Sequence, residues 1–214
     1  MKEVIGFLKE IRANNNREWL EANKKQFETA KNQMKGFAQE LSGLMTAHDN
    51  VDPKPKLFRI YRDVRFSKDK TPFKTSMSGS FTRLTPALRG GYYFHVEPGA
   101  SFLGGGFWQP EKVDLMLIRQ QIQQDAEPLR EVINSKQFKA YFGELGGEQL
   151  KTKPKGFEAD DPNIDLLRYK SFIVSKSFTD KEVLAPDFCE NVNEGFRNMR
   201  PFFNVMSEYL TTIL

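Results

Sequence analysis

Near the start of the chain, apolar residues recur every three or four positions, the spacing of one helix face. These residues are Val4, Phe7, Leu8 and Ile11. They predict a helix over residues 3–12, and the asparagines at 14–16 offer an N-cap for a second helix. The same spacing continues from Trp19 to Ala47, which predicts one long helix with a break near Gly36.

From Leu57 the pattern shortens to aromatic and alternating runs that Gly and Pro separate, as in β-strands. The predicted strands are residues 57–62, 76–83, 91–97 and 101–107. Since no helix-length segment lies between them, we expect the sheet to be antiparallel.

Helical spacing returns after Pro110, a residue that suits the first turn of a helix. The remaining predicted elements are helices at 127–134 and 135–143, one helical turn at 164–168, a strand at 172–175 and a helix from Phe188 that Pro201 bends or divides. This order predicts an α+β fold, in which an antiparallel sheet from the central segment packs with N-terminal and C-terminal helices. We expect one domain over residues 1–214.

Composition narrows the class of protein. A hydrophobic fraction of 39% with 19 Phe indicates a packed globule rather than a disordered chain. Cys189 is the only cysteine, which excludes an intrachain disulfide. The N-terminus is interrupted by charge, unlike a signal peptide, and no apolar run is long enough for a membrane span. We therefore expect a cytoplasmic protein with no membrane partner.

Positive charge is concentrated in residues 59–74, named here the basic loop. The segment holds six basic and two acidic residues and thus a charge of +4, which equals the net charge of the whole chain. Because the connection between the predicted strands is longer than a hairpin requires, we expect a functional loop. Phe66 and Phe73 are predicted to anchor it by burial.

Clustered guanidinium and ammonium groups with hydroxyls are typical of a site for phosphate or carboxylate. The predicted ligand-binding residues are Arg59, Arg62, Arg65, Ser67, Lys68, Lys70 and Lys74, together with Tyr93 and His95 from a neighbouring strand. Lys155 and Lys170 are weaker candidates. This pattern favours a phosphorylated or otherwise anionic small molecule as the partner. The other interpretation is internal ion pairing, with Glu97, Asp160, Asp161 and Asp165, or with Asp63 and Asp69 inside the loop.

Two further functions stay open. Aromatic residues beside cations are also typical of nucleic-acid binding. A metal-dependent phosphoester hydrolase would need carboxylates such as Asp63, Asp69 or Glu97 to converge. The sequence itself predicts no metal site and no cofactor, since two histidines and one cysteine show no ligand spacing.

Two motifs favour structural roles. The run GGGFWQP lacks the Lys-Ser/Thr ending of a phosphate-binding loop, so we expect a tight strand bend with Trp108 packed nearby. Cys189 lies on the apolar stripe of the last helix, which predicts burial.

Six segments read, in order, NNNREWLEANKKQF, FRIYRDVRFSKDKTPFKT, GGYYFHVEPG, GFWQPE, IRQQI and KPKGFEADDPNIDLLRYKSF. Together they resemble the DUF2461 family, a bacterial and fungal group of uncharacterised function. The similarity runs from about Phe7 to Leu210. Two positions depart from the family pattern: Leu20 stands where the family often has an aromatic residue, and Phe73 stands where it often has Tyr. The resemblance implies a single-domain α+β protein. It implies no established activity.

Overall fold

The structure of the protein is a computed structural model, and it describes residues 1–212. In this range the helices are α1 (Lys2–Ala13), α2 (Arg17–Ala22), α3 (Lys24–Met45), α4 (Lys112–Gln124), α5 (Glu127–Asn134), α6 (Lys136–Phe142), α7 (Ile164–Leu167), α8 (Asp180–Leu184) and α9 (Phe188–Thr211). The strands are β1 (Lys56–Leu57), β2 (Met77–Thr82), β3 (Gly91–Val96), β4 (Ser101–Phe107) and β5 (Phe172–Phe178).

The strands form one antiparallel sheet in the order β1-β2-β3-β4-β5. In the β1–β2 pair, Lys56 lies opposite Ser80 and Leu57 opposite Gly79. Chain order and spatial order coincide, as expected for closely spaced strands. The predicted α+β class with an antiparallel central sheet and flanking helices is therefore confirmed.

The described chain divides into two compact units, each made of three segments. Unit 1 contains Met1–Phe81, Tyr93–Leu103 and Ser177–Glu194. Unit 2 contains Thr82–Tyr92, Gly104–Lys176 and the chain from Gly195 onward. The expectation of a single domain stays a prediction.

The core of unit 1 is aromatic. The ring of Phe7 on α1 lies 5.4 Å from Phe27 on α3. Further along α3, Phe37 meets Phe94 of β3 edge-on at 5.4 Å and stacks on Phe188 at 5.3 Å. Cys189 is buried beside them as predicted, and this burial raises the pKa of its thiol to about 12.

In unit 2 the phenylalanine stripe of α9 forms the core. The ring of Tyr92 lies 4.9 Å from both Phe196 and Phe203. Pro201 lies inside α9 without dividing it. Of the two effects expected of Pro201, a bend or a division, the division is not found.

Glycine is required where β4 approaches β5. Gly106 has φ +132, and a Cβ atom there would lie 2.1 Å from the carbonyl oxygen of Phe172. This agrees with a structural role for the GGGFWQP run. The expected packing of Trp108 is wrong, because its side chain is 73% exposed.

Local signals account for the other differences from the predicted elements. The predicted long helix is two helices, since it is interrupted at Asn23 and not near Gly36. Asn16 does cap α2, accepting a hydrogen bond from the Trp19 amide at 2.8 Å. Helix α8 is absent from the predicted elements, although Thr179 and Glu182 form a capping box at its start.

Candidate functional site

The two ends of the basic loop pair with each other. Tyr61 and Phe73 form an antiparallel bridge. Beside it, the Arg62 amide donates to the Pro72 carbonyl at 2.9 Å, and the Lys74 amide donates to the Ile60 carbonyl at 2.8 Å. The predicted strand 57–62 is therefore wrong beyond Leu57, because the backbone after Phe58 pairs with the end of its own loop.

Asn15, in the connection between α1 and α2, holds this closure. Its side-chain amide donates to the Phe73 carbonyl at 2.9 Å and accepts from the Phe73 amide at 3.1 Å. A single side chain thus satisfies both backbone polar groups of a buried residue, as a neighbouring strand would. Sequence reasoning assigned Asn15 only a capping role.

The two predicted anchors of the loop differ. Phe73 is buried and lies 5.2 Å from the Tyr61 ring. Phe66 is 96% exposed, so its predicted anchoring role is wrong. The Arg65 guanidinium lies 5.9 Å from the centre of the Phe66 ring. Phe66 lies in the part of the loop between the paired ends, and burial in the core does not hold it.

Two of the loop arginines are neutralised within the loop. Arg62 binds Asp69 and the hydroxyl of Thr71. Arg65 donates to both carboxylate oxygens of Asp63, at 2.9 and 2.7 Å. The Thr71 amide and the Arg62 guanidinium lower the pKa of Asp69 to about 2, and the Arg65 guanidinium lowers that of Asp63.

The remaining predicted loop residues form no ion pair with a carboxylate within the described chain. Lys70 donates to the Val64 carbonyl at 2.9 Å, and the Lys74 ammonium lies 5.9 Å from the centre of the Phe58 ring. Arg59, Ser67 and Lys68 make no side-chain hydrogen bond or ion pair among residues 1–212.

Three of the four acids considered as distant counter-charges bind other groups, and the fourth, Asp160, lies exposed in a turn. Glu97 binds Arg12 at 2.9 Å, and Asp165 binds Arg130 at 2.6 Å. Asp161 accepts from Gln123 at 3.1 Å. The loop's internal pairing therefore uses its own two aspartates.

A groove of about 460 Å³ opens beside the N-terminal end of the basic loop. We define the groove by its lining residues, which are Phe27, Glu28, Lys31, Met34, Leu57, Phe58, Arg59, Ile60, Tyr61, Met77 and Ser78. Most of them are apolar. Lys31 is paired with Glu28 at 3.1 Å, so Arg59 is the cation of the lining that forms no ion pair in the described range, although its charge contributes to lowering the pKa of Asp63.

Tyr93 and His95 belong to a second polar cluster, on strand β3. The Tyr93 hydroxyl lies 3.1 Å from Nδ1 of His95, and Nε2 of His95 lies 3.0 Å from Glu97. We call these three residues the relay. Because side chains alternate along a strand, residues 93, 95 and 97 share one face while Phe94 and Val96 enter the core.

Glu97 is the most constrained member of the relay. Besides His95, it accepts hydrogen bonds from the Thr75 hydroxyl at 2.7 Å and from Arg12 at 2.9 Å. Partial burial on its own would raise the pKa of Glu97, but the bonds from Thr75, His95 and Arg12 outweigh it and lower this pKa below the usual 4.5.

We expect Glu97→Gln to make stability less dependent on pH in the acid range. A carboxyl whose pKa is lowered by folding stabilises the protein above the unfolded value of 4.5, and this contribution is lost as pH falls through the folded pKa. The variant should therefore be less stable than the wild type at neutral pH, and the difference should shrink below about pH 4. Urea denaturation at several pH values measures it. The exposed Glu10→Gln is the control, and an equal pH trend in both variants would contradict the prediction.

The weaker lysine candidates lie in unit 2. There, Lys170 is paired with Glu148 at 2.7 Å. Lys155 lies in an exposed turn after Pro154. Neither lysine has a contact that indicates a ligand site.

The carboxylates proposed for a metal-dependent hydrolase do not converge. Asp63, Asp69 and Glu97 each bind a different arginine. Within residues 1–212, no three His, Cys, Asp or Glu side chains form a group that could hold a metal ion. No helix in the same range has the length and apolar character needed to cross a membrane.

The fold and these clusters define an α+β protein with an antiparallel sheet, an apolar groove beside a basic loop and a hydrogen-bonded relay on its central strand. Residues 3–204 match the family described as "Conserved hypothetical protein (DUF2461)". The chain belongs to the DUF2461 family. No match is found among curated proteins.

Proposed function

We propose that the protein binds a small anionic ligand with an apolar part, which occupies the groove and pairs its anionic group with Arg59. The observation that supports this is the position of Arg59: it lines a mostly apolar groove and has no ion pair within the described chain. A guanidinium stabilises a phosphate, sulfonate or carboxylate through charge-assisted hydrogen bonds.

Electrostatics favours Arg59 over the other loop arginines. Arg62 and Arg65 already bind Asp69 and Asp63, so an incoming anion would have to displace a carboxylate whose charged form is strongly stabilised. Lys68 and Lys74 add positive potential without an acidic partner of their own among residues 1–212. The loop thus contributes a local positive field, and the groove contributes apolar contact.

Arg59→Gln should weaken binding of 1-anilinonaphthalene-8-sulfonate about tenfold or more, because a charge-assisted hydrogen bond is lost. This probe combines aromatic rings with one sulfonate, and its fluorescence reports the apolar site. Phenyl phosphate should compete with it in the wild type. The matched control is Arg65→Gln, which removes a guanidinium that Asp63 already binds. Equal affinity in wild type and Arg59→Gln would overturn the proposal, provided circular dichroism shows both to be folded.

Nucleic-acid binding is the second candidate, and the exposed Phe66 beside Arg65 favours it. Aromatic side chains next to cations stack on bases of single strands. Arg65→Gln and Phe66→Ala, compared with Arg59→Gln, separate the two functions. If a mixed-sequence single-stranded oligonucleotide bound with an affinity that depends on Phe66 and Arg65, and the sulfonate did not bind, nucleic acid would replace the small ligand as the proposed partner.

A further inference from the structure

The relay has the connectivity of a nucleophile, a base and an orienting acid. Its three side chains form two successive hydrogen bonds, from the Tyr93 hydroxyl to Nδ1 of His95 and from Nε2 of His95 to Glu97. A hydroxyl, an imidazole and a carboxylate in this order are the general arrangement by which enzymes activate a weak nucleophile.

The contacts determine where the protons lie. Glu97 is held as a carboxylate by Arg12 and Thr75, and a carboxylate only accepts hydrogen bonds. Nε2 of His95 is therefore the donor to Glu97. In the neutral imidazole Nδ1 is then an acceptor, so the Tyr93 hydroxyl donates to it. The tyrosine proton thus points at a base that is oriented to take it.

Aromatic packing fixes the geometry of the relay. Phe102 stacks on the His95 ring at 4.8 Å and lies 5.7 Å from the Tyr93 ring. His95 has only 16% of its side chain exposed. A rigid, partly water-excluded imidazole strengthens the hydrogen bonds that it makes.

Cations around Phe58, the aromatic neighbour of Tyr93, indicate the class of substrate. The Phe58 ring lies 6.1 Å from the Tyr93 ring, and the ammonium groups of Lys56 and Lys74 lie 5.5 and 5.9 Å from the centre of the Phe58 ring. Within the described range neither lysine has an acidic partner. Two such charges around the aromatic neighbour of Tyr93 favour an anionic electrophile over a neutral one, because they create a local positive potential that attracts an anion.

We propose that Tyr93 is the nucleophile of a site that cleaves phosphodiesters, with His95 as its general base and acid. The Tyr93 oxygen bonds to phosphorus while its proton moves to Nδ1 of His95. The bond from phosphorus to the leaving oxygen breaks, and that oxygen takes the proton from Nδ1. Water then attacks the phosphotyrosine, giving its proton to Nδ1, and the Tyr93 oxygen leaves and recovers a proton there. The net reaction converts a phosphodiester and water into a phosphomonoester and an alcohol.

Glu97 is a positioning residue in this proposal, since it acts on the substrate only through His95. The inference goes beyond binding at Arg59 and can hold when the groove binds nothing, because the nucleophile and its base are both on β3. Failure of one proposal therefore leaves the other testable.

The first test measures the reactivity of Tyr93 directly. 4-(Fluorosulfonyl)benzoic acid is an anionic probe that forms a sulfonate ester with an activated tyrosine and releases fluoride. Peptide mass spectrometry gives the labelling rate of each tyrosine in one reaction. Tyr141, which is partly exposed and lies outside the groove, is the internal control. We expect Tyr93 to react about tenfold faster or more than Tyr141, and His95→Gln to remove this difference without changing the Tyr141 rate.

Two results of the labelling experiment would overturn the proposal. If Tyr141 reacts as fast as Tyr93 or faster in the wild type, His95 gives Tyr93 no added reactivity and the proposal is overturned. This comparison needs no variant, so it does not depend on how well His95→Gln folds. An unchanged Tyr93 rate in a folded His95→Gln protein would also overturn it.

The second test uses bis(4-nitrophenyl) phosphate as substrate. The wild type should release 4-nitrophenol, and Tyr93→Phe and His95→Gln should each lower kcat by about a hundredfold or more. Glu97→Gln should lower kcat and leave KM unchanged. Tyr141→Phe, in unit 2, is the matched control and should keep wild-type activity. Wild-type turnover no higher than that of Tyr93→Phe would overturn the proposed reaction.

Discussion

Replacing Gly106 by alanine should destabilise the protein by roughly 3–5 kcal/mol, which combines backbone strain with a steric overlap. The residue has φ +132, a conformation that side-chain-bearing residues rarely adopt. Its new methyl group would lie 2.1 Å from the carbonyl oxygen of Phe172, which belongs to the backbone of β5 and cannot rotate away. Relief requires the two strands to separate.

Gly156→Ala is the matched control in the same unit. Gly156 also has positive φ, at +89, but a Cβ atom added to it would have no neighbouring atom within 4 Å. Its substitution should cost only the backbone strain, about 1–2 kcal/mol. Urea denaturation followed by circular dichroism measures both variants. Equal losses of stability in the two would show that the close approach of Phe172 contributes nothing.

Arg119→Met should destabilise the protein by roughly 3–4 kcal/mol, because it leaves the buried Leu167 carbonyl and the partly buried Tyr169 carbonyl without their donors. The Arg119 guanidinium donates to the Leu167 carbonyl at 2.9 Å and to the Tyr169 carbonyl at 3.0 Å. These carbonyls lie at and just beyond the C-terminal end of α7, where the helix itself offers no donors. Burial lowers the pKa of Arg119, and the charge is retained at neutral pH.

Arg130→Met tests whether burial is the cause. Arg130 pairs with Asp165 at 2.6 Å, but the Asp165 side chain is 59% exposed, and water can replace the lost contact. Its loss should cost about 1 kcal/mol or less. Denaturant midpoints of the two variants give the comparison. If Arg130→Met were the more damaging change, the buried carbonyls near α7 would not be the source of the Arg119 effect.

The element pattern was predictable because local periodicity determines it. Strands β2, β3 and β4 and most helices follow directly from spacing, caps and glycines. Helix α8 could also have been found, since Thr179 and Glu182 stand at capping-box spacing. The break at Asn23 could not, because a polar residue inside a helical pattern is equally compatible with an uninterrupted helix.

Some contacts of the candidate site could likewise be predicted from the sequence, and others could not. The relay was within reach, because Tyr93, His95 and Glu97 alternate on one predicted strand. The pairing of Arg62 with Asp69 and of Arg65 with Asp63 was one of the interpretations left open. The contributions of Arg12, Asn15 and Phe102 depend on long-range contacts, so no local pattern in the sequence could identify them. The exposure of Phe66 was missed because hydrophobicity alone favours burial.

The paired ends of the basic loop have an evolutionary consequence. Asn15 and the Tyr61–Phe73 bridge complete the hydrogen bonding of the loop base, so residues 63–71 are not needed for strand register. The entropy of closing a loop changes slowly with its length. The sheet can therefore keep its register when residues between 63 and 71 are inserted, deleted or changed in charge. The segment is where this architecture can acquire new ligand preferences at the least risk to folding.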